Sequence, residues 1–330
     1  MIPWRQVFSL TSPSGRNGRL STFIFHRVTA TRDEVLDWEP DAQAFERMIG
    51  WIKNWFNVLP LDEAIVRLKH GDLPQRAAAI TFDDGYADNF TTALPILKAH
   101  GLSATFFIAT GYLDGGRMWN DTIVESVRRC TASILDLSSL GLGIHPLDTP
   151  EATRKAIQSI LGGIKYKDHS ERLDLVASIA TTTRSELPTD LMMTTAQVKA
   201  MREEGMLIGA HTVRHPILAR LPTTEVAAEV AHSKDHLESV LGEPVTLFAY
   251  PNGKPNADYR AVDAEIVRRT GFHAAMTTAW GVADSRADLM QLPRFTPWDR
   301  TRSQFGLRLL RNLVNNGRAR ASQIAHNSSS

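Results

Sequence analysis

The chain has almost no cysteine and almost no net charge. Cys130 is the single cysteine among 330 residues, so no internal disulfide can form. This composition fits a cytosolic or otherwise reducing setting, although an exported protein without disulfides would look the same. The formal net charge of +1 gives the whole molecule no field that would gather nucleic acid. We therefore expect no nucleic-acid partner.

Long apolar runs are also missing. The longest, such as residues 106–109, have the length of a strand and are far too short to span a bilayer. The N-terminal sequence MIPWRQVFSLTSPSGRNGRLS has no apolar run of signal-peptide length behind a charged start. The expectation is a protein without a transmembrane segment, cytoplasmic or peripheral to the inner membrane.

Short apolar runs alternate with helical patterns along most of the chain, which is typical of a parallel sheet built from βαβ units. The predicted strands are 21–27, 77–82, 104–109, 207–210, 246–250, 274–277 and 289–295. The predicted helices between them are 41–56, 61–69, 93–100, 197–204, 223–241 and 258–269. This order predicts an α/β fold, a distorted or incomplete (β/α) barrel, within a single catalytic domain over residues 1–300.

Residues 112–194 interrupt the alternation. They contain three helix-like pieces, at 121–130, 150–161 and 170–181, but no clear strand. We interpret them as a helical insertion in a βα loop. Because such loops carry the sites of barrel enzymes, the insertion is expected to border the substrate groove.

Residues 301–330 are expected to form a basic C-terminal helix followed by a disordered tail. From Leu292 onward there are seven arginines and one acid, Asp299. A helix from about 303 would place Phe305, Leu309 and Leu313 on one side. That side would cover the outer face of the barrel or, alternatively, lie on an anionic membrane surface.

Polar residues follow several predicted strands, at the end where a barrel carries its active site. Asp83 and Asp84 follow 77–82, and His211 and His215 follow 207–210. Alone, the aspartates could cap a helix and the histidines could be a surface coincidence. Together, one carboxylate and two imidazoles are the ligands that catalytic Zn²⁺ prefers. Neighbouring side chains on an extended segment point opposite ways. One of the two aspartates would therefore bind the metal, and the other would accept a proton beside it.

These residues also resemble a known family. Thr-Phe-Asp-Asp-Gly (81–85) and His-Thr-Val-Arg-His (211–215) are similar to the first two motifs of the polysaccharide deacetylases, the NodB-homology enzymes of carbohydrate esterase family 4. The segments FHRV (25–28), GLSATFF (101–107) and FAYPNG (248–253) are similar to further family patterns. The resemblance extends over about residues 25–295 apart from the insertion. It implies a metal-dependent hydrolase that removes N-acetyl groups from an acetylated amino-sugar polymer or oligosaccharide.

By this resemblance, Asp83 is the general base, and Asp84, His211 and His215 bind a divalent metal, Zn²⁺ in the first place, with Co²⁺ or Ni²⁺ as alternatives. Many members orient the base with an arginine of an Arg-x-Pro-Tyr motif, where this chain has Ala249 and Asn252. The resemblance to the exopolysaccharide and poly-N-acetylglucosamine branch implies that Arg294 replaces that arginine. The backbone N–H of Asn252 would bind the oxyanion.

The general acid is left open by the sequence. Many members supply it from a Leu-x-His motif, and no such motif follows Arg294. His26, after the first strand, is the first candidate, followed by His273 and His145. Alternatively, Asp83 returns the proton that it takes from water.

Sugar rings stack on aromatic side chains, so the candidate substrate contacts are Tyr250, Trp119 and Trp298, together with Tyr112 and Trp280. Two other functions remain as alternatives. One is a related amidohydrolase that acts on a small or cyclic amide, and the other is a carbohydrate-binding pseudoenzyme.

Overall fold

The structure is a computed structural model, and it describes residues 2–314. Its strands are β1 (Ser21–Phe25), β2 (Asn57–Val58), β3 (Ala77–Phe82), β4 (Thr105–Ile108), β5 (Ile134–Leu137), β6 (Gly143–Pro146), β7 (Leu207–Ala210), β8 (Leu247–Ala249) and β9 (Ala274–Met276). Its helices are α1 (Trp4–Thr11), α2 (Ala42–Trp55), α3 (Leu61–His70), α4 (Leu94–Ala99), α5 (Trp119–Arg128), α6 (Pro150–Ile164), α7 (His169–Thr183), α8 (Thr195–Glu203), α9 (Thr223–Leu241), α10 (Ala261–Arg269) and α11 (Arg302–Val314).

The main sheet is parallel, in the order β1-β3-β4-β7-β8-β9, with β2 paired to β3. Its strands are short and buried on both faces, as expected of a sheet covered by helices. The predicted distorted or incomplete (β/α) barrel is confirmed. The carboxyl ends of these strands meet at one end of the sheet, where the polar residues of the sequence motifs lie.

The segment that follows β9 closes the barrel through single bridges rather than through a full strand. Leu292 bonds on one side to Ala275 and Thr277, and Phe295 bonds on the other side to Thr22 and Ile24. The predicted strand 289–295 is therefore wrong in its first half, because 289–291 form a 3₁₀ turn. Pro293 has no N–H to donate, which explains why no continuous ladder forms.

The insertion has its own small core. Its helices α5, α6 and α7 pack around buried aliphatic side chains, among them Ile123, Ile157 and Ile179. The expectation that it contains no strand is wrong, since β5 and β6 form an antiparallel hairpin. Leu135 and Leu137 of this hairpin point into the insertion core.

The apolar side of α11 covers the barrel. Phe305, Leu309 and Leu313 are fully buried, and the Phe305 ring lies within 6.2 Å of the Phe23 and Phe295 rings. The alternative in which this side lies on a membrane is therefore wrong for this conformation. No helix in the described part of the chain is both long and apolar enough to cross a bilayer. The tail predicted after α11 lies outside the described residues.

Candidate active site

The two adjacent aspartates stand in a tight turn directly after β3. Asp83 continues the strand, with its N–H bonded to the carbonyl of Phe25. Asp84 has a φ of 78° and Gly85 a φ of 91°, so the chain turns sharply at this point. A positive φ at a residue other than glycine costs on the order of 1–3 kcal/mol and is often found at functional sites. As a result the two carboxylates meet different partners.

Asp84 faces two histidines. Its Oδ1 lies 3.3 Å from Nε2 of His211 and 3.3 Å from Nε2 of His215. This oxygen is buried and has no hydrogen-bond partner among the described residues. The His211 Nδ1 lies 2.7 Å from the carbonyl oxygen of Ala249. A carbonyl can only accept, so Nδ1 carries the proton and Nε2 offers its lone pair.

The three side chains therefore fit a divalent cation. One ligand atom from each of Asp84, His211 and His215 lies within 4.8 Å of the others. A carboxylate with two imidazoles leaves a coordination position open for a reactant.

The loop that carries the two histidines is strained and is held by a buried acid. Thr212 and His215 both have positive φ values, of 64° and 51°. Glu229 of α9, only 4% exposed, accepts hydrogen bonds from the N–H groups of Val213 and Arg214 and from the Arg214 guanidinium. Glu229 was not among the residues predicted from the sequence, and it stabilises the backbone between the two candidate metal ligands.

Asp83 faces an arginine. The Arg294 guanidinium donates from Nη1 to Oδ1 at 2.6 Å and from Nη2 to Oδ2 at 2.7 Å. Its Nε donates to the Thr277 carbonyl, and Nη1 also reaches Thr81 Oγ1. Arg294 is fully buried. A two-point contact of this kind fixes both the charge and the orientation of a carboxylate.

The electrostatics of the site separate its members into different protonation states. Burial acts to raise the pKa of Asp83, but Arg294 and His211 outweigh it, so this pKa lies below its ordinary value. At Asp84 burial again acts to raise the pKa, but His215 and His211 outweigh it, so this pKa is lowered as well. Burial lowers the pKa of His215 to about 4, despite the nearby Asp84. Asp83 and Asp84 outweigh burial at His211 and raise its pKa. Near neutral pH both aspartates are ionised and His215 is neutral, as a base, a carboxylate ligand and an imidazole ligand require.

Comparison with known proteins places this arrangement in a family. The family model for polysaccharide deacetylases matches residues 70–274, which include the aspartate pair and both histidines. The chain belongs to the polysaccharide deacetylase family. The resemblance of its sequence motifs to this family is thereby confirmed.

Two curated relatives of this chain illustrate the similarity. The putative polysaccharide deacetylase YxkH of Bacillus subtilis is 23% identical over 252 residues, which are 76% of this chain and 62% of that protein. The poly-beta-1,6-N-acetyl-D-glucosamine N-deacetylase of Staphylococcus aureus is 33% identical over 95 residues, which are 28% of this chain and 32% of that protein. In both comparisons the chain spans less than two thirds of the relative's own length.

Solved structures share the fold. The deacetylase PplD of Streptococcus pyogenes, in complex with acetate, is 20% identical with a TM-score of 0.59, covering 89% of this chain and 98% of that one. IcaB from Ammonifex degensii is 18% identical with a TM-score of 0.57, and the match covers 92% of this chain and 98% of that one. At these identities the likeness concerns the fold.

Asn252 and His26 lie at strand ends near this centre. Asn252 has a φ of 59°, and its N–H has no hydrogen-bond partner among the described residues. His26 is half-buried after β1, and Asn89 donates to its carbonyl. His26 directly follows Phe25, whose carbonyl accepts a hydrogen bond from the N–H of Asp83. Both positions agree with the predicted roles, which stay predictions.

The two other histidines proposed as an acid lie elsewhere. His273 is exposed at the amino end of β9, opposite the end that carries the site. His145 belongs to the hairpin of the insertion, where its Nε2 lies 2.8 Å from the Leu142 carbonyl. The structure does not bring either residue to the metal triad.

One predicted substrate contact is wrong. Tyr250 is fully buried, stacks on Tyr259 with ring centroids 3.9 Å apart and donates its hydroxyl to the Met290 carbonyl. Its ring is therefore part of the core and cannot touch a substrate in this conformation.

The other aromatic candidates take different positions. Trp119 is half-buried against the insertion core, with the Arg172 guanidinium 5.0 Å from its ring. Tyr112 donates its hydroxyl to the Arg214 carbonyl and so supports the histidine loop. Trp280 and Trp298 are 40% and 52% exposed. Only these last two present substantial ring surface to solvent.

A buried pair connects the insertion to the aspartate turn. Tyr86, two residues after Asp84, donates its hydroxyl to Asp121 Oδ1 at 2.9 Å. The Arg27 guanidinium lies 4.9 Å from the Tyr86 ring. Burial raises the pKa of Asp121 to about 7. No local sequence pattern indicates this pair, because the fold assembles it from residues 35 positions apart.

Proposed function

We propose that this chain removes N-acetyl groups from an amino-sugar polysaccharide or from its precursor, releasing acetate and a free amine. The observation that carries the proposal is the arrangement of an arginine-held Asp83 beside the Asp84, His211 and His215 triad. The partial match to the Staphylococcus aureus enzyme supports an N-acetylglucosamine polymer as the substrate.

The donor set fits Zn²⁺ best, with Co²⁺ and Ni²⁺ as alternatives. A divalent cation held by the triad supplies Lewis-acid chemistry, which polarises an amide carbonyl and lowers the pKa of water. Metal dependence and metal identity are part of the proposal.

The residues of the chain account for the remaining steps. Ionised Asp83, fixed by Arg294, accepts a proton from the water that attacks the acetyl carbonyl. The free N–H of Asn252 would donate to the carbonyl oxygen as it gains negative charge. When the carbon–nitrogen bond breaks, the amine nitrogen takes a proton from His26 or from Asp83.

The test is acetate release from β-linked N-acetylglucosamine oligomers by purified, Zn²⁺-loaded protein. We expect acetate to appear, to stop on addition of a chelator and to return when Zn²⁺ is restored. Failure to release acetate from any acetylated saccharide, with the bound metal verified, would overturn the proposal. Turnover of small or cyclic amides alone would assign a small-molecule amidohydrolase. Saccharide binding without any turnover would assign a pseudoenzyme.

A further inference from the structure

A cavity of about 330 Å³ lies between the loop that follows β1, the first turns of α2 and the segment 297–300. Its walls include Trp38, Glu39, Trp51 and Trp298. Phe23 of β1 pairs in parallel with Phe295. The loop after β1 and the segment 297–300 therefore leave the barrel at the same end. The cavity therefore begins at the same end of the barrel as the aspartate turn and extends from there along α2 as far as Trp51.

Glu39 connects the cavity to the metal centre. Its Oε2 accepts a hydrogen bond from the N–H of Arg27 at 3.4 Å, next to His26. The Phe25 carbonyl, on the other side of His26, accepts a hydrogen bond from the N–H of Asp83 at 3.0 Å. The backbone of residues 25–27 thus links Glu39 on the cavity wall to the aspartate turn, and it carries His26, the candidate acid.

Trp298 forms a supported aromatic surface on the cavity wall. The Arg308 guanidinium of α11 lies 3.7 Å from the centroid of its ring, and the Trp280 ring lies 5.1 Å away. Arg308 is itself fixed by an ion pair with Asp299 and by a hydrogen bond to the Thr296 carbonyl. Trp298 nevertheless stays 52% exposed. A large exposed ring held in place loses little side-chain entropy when a ligand stacks on it.

The remaining lining is polar and nearly balanced in charge. It contains four carboxylates, from Asp37, Glu39, Asp41 and Asp299, and three guanidinium groups, from Arg32, Arg47 and Arg300. Such a lining offers many hydrogen-bonding groups without attracting a strongly anionic ligand. Tryptophan faces combined with these groups suit a ring that has apolar C–H faces and hydroxyl edges.

We propose that this cavity binds one pyranose unit of the amino-sugar chain, adjacent to the unit whose acetyl group reaches the metal triad. Trp298 provides the stacking surface and Arg308 is its positioning residue. This inference rests on the proposed function and adds to it that the substrate is an oligomer. The basic helix α11 then serves the substrate site through Arg308.

The test compares Trp298→Ala with the unsubstituted Zn²⁺-loaded enzyme on N-acetylglucosamine dimers and pentamers. We expect the KM for the pentamer to rise about tenfold, because one stacking contact is lost. The kcat is expected to change by less than about twofold, because the stacking contact stabilises the bound substrate and the transition state equally. Arg308→Met, which removes the ion pair with Asp299, should raise the pentamer KM by a smaller factor. Tyr166→Ala removes an aromatic side chain of similar exposure outside the cavity and serves as the control.

An unchanged pentamer KM in Trp298→Ala would overturn the inference while leaving the proposed function standing. Pentamer binding is also measured directly, by tryptophan fluorescence, on metal-loaded Asp83→Asn with and without Trp298→Ala. Equal affinities of these two variants would likewise overturn the inference. If no saccharide is deacetylated at all, this binding measurement still decides whether the cavity takes a sugar.

Discussion

Arg294 donates two parallel hydrogen bonds to Asp83 across 211 positions of sequence, and both side chains are buried. The pair brings the segment that closes the barrel into contact with the aspartate turn after β3. The guanidinium offsets the cost of burying the carboxylate and leaves Asp83 ionised. Several expectations follow from this pair and from the groups around it.

Asp83→Asn should bind metal and lose turnover, because the amide keeps the shape of the side chain but cannot accept a proton from water. Asp84→Asn is the matched comparison and should lose metal affinity instead. Bound Zn²⁺ and acetate release are measured on both variants. An active Asp83→Asn enzyme would show that Asp83 is not the base.

Removal of the Arg294 side chain should cost both stability and activity. In Arg294→Met the buried Asp83 charge loses its partner, a change that costs about 3–5 kcal/mol of unfolding free energy. Arg294→Lys keeps the positive charge without the two-point contact, so it should retain more stability while kcat falls about 100-fold. Urea unfolding and kcat are measured, with exposed Arg311→Met as the control. Normal kcat in the lysine variant would exclude an orienting role.

Glu229 should control metal affinity from outside the ligand set. Glu229→Gln weakens the bonds to Val213, Arg214 and its guanidinium, so the strained loop between His211 and His215 loosens. We expect metal affinity to fall about 10- to 100-fold, as is usual when a group that orients metal ligands is lost. Asp235→Asn changes an exposed acid of the same helix and should leave Zn²⁺ affinity unchanged. Equal affinities of the two variants would exclude this role for Glu229.

His26 is tested by chemical rescue. If His26 protonates the departing amine, His26→Ala should lower kcat by about 10²- to 10⁴-fold. Added imidazole should restore part of that activity, which a purely structural defect would not allow. If kcat is unaffected, Asp83 itself returns the proton to the amine.

The candidate metal site could be predicted because its members all follow the ends of strands. A parallel sheet brings the carboxyl ends of its strands together regardless of the length of the connecting segments. Asp84 and His211 therefore meet although they are far apart in sequence. Arg294 was reached through the family resemblance, since nothing local in Leu-Pro-Arg-Phe indicates a partner. The contacts of Arg294 depend on how the barrel closes.

Other features follow from packing that no local pattern fully specifies. The strands β5 and β6 have four residues each, too few for the alternation in Ile-Leu-Asp-Leu to stand out. Tyr250 follows β8, at a strand end where a substrate contact is expected. Its ring instead packs on Tyr259 in the core. A buried role for Glu229 could have been predicted, because an acid three residues after Val226 and beside Val230 lies on the apolar side of α9.

Asp121 should make stability depend on pH in a direction unusual for an acid. The pKa of Asp121 is about 7 in the folded chain because burial outweighs Arg27 and the Tyr86 hydroxyl, while the unfolded chain titrates near the ordinary value of 3.8. Between about pH 4 and pH 7 the folded state holds a proton that the unfolded state has lost. Stability therefore falls across this interval, by up to about 1.4 kcal/mol per pH unit, and this contribution is constant above pH 7.

Asp121→Asn replaces the neutral acid with a neutral amide whose oxygen still accepts from Tyr86. The variant should therefore gain stability relative to the original chain as the pH rises from 4 to 7, and the difference should then level off. Chemical unfolding at intervals across pH 4–8 measures this, and Asp148→Asn, at an exposed position just before α6, serves as the control. A pH-independent difference would mean that Asp121 is already ionised in the folded protein, in which case Arg27 and Tyr86 stabilise its charge more strongly than burial opposes it.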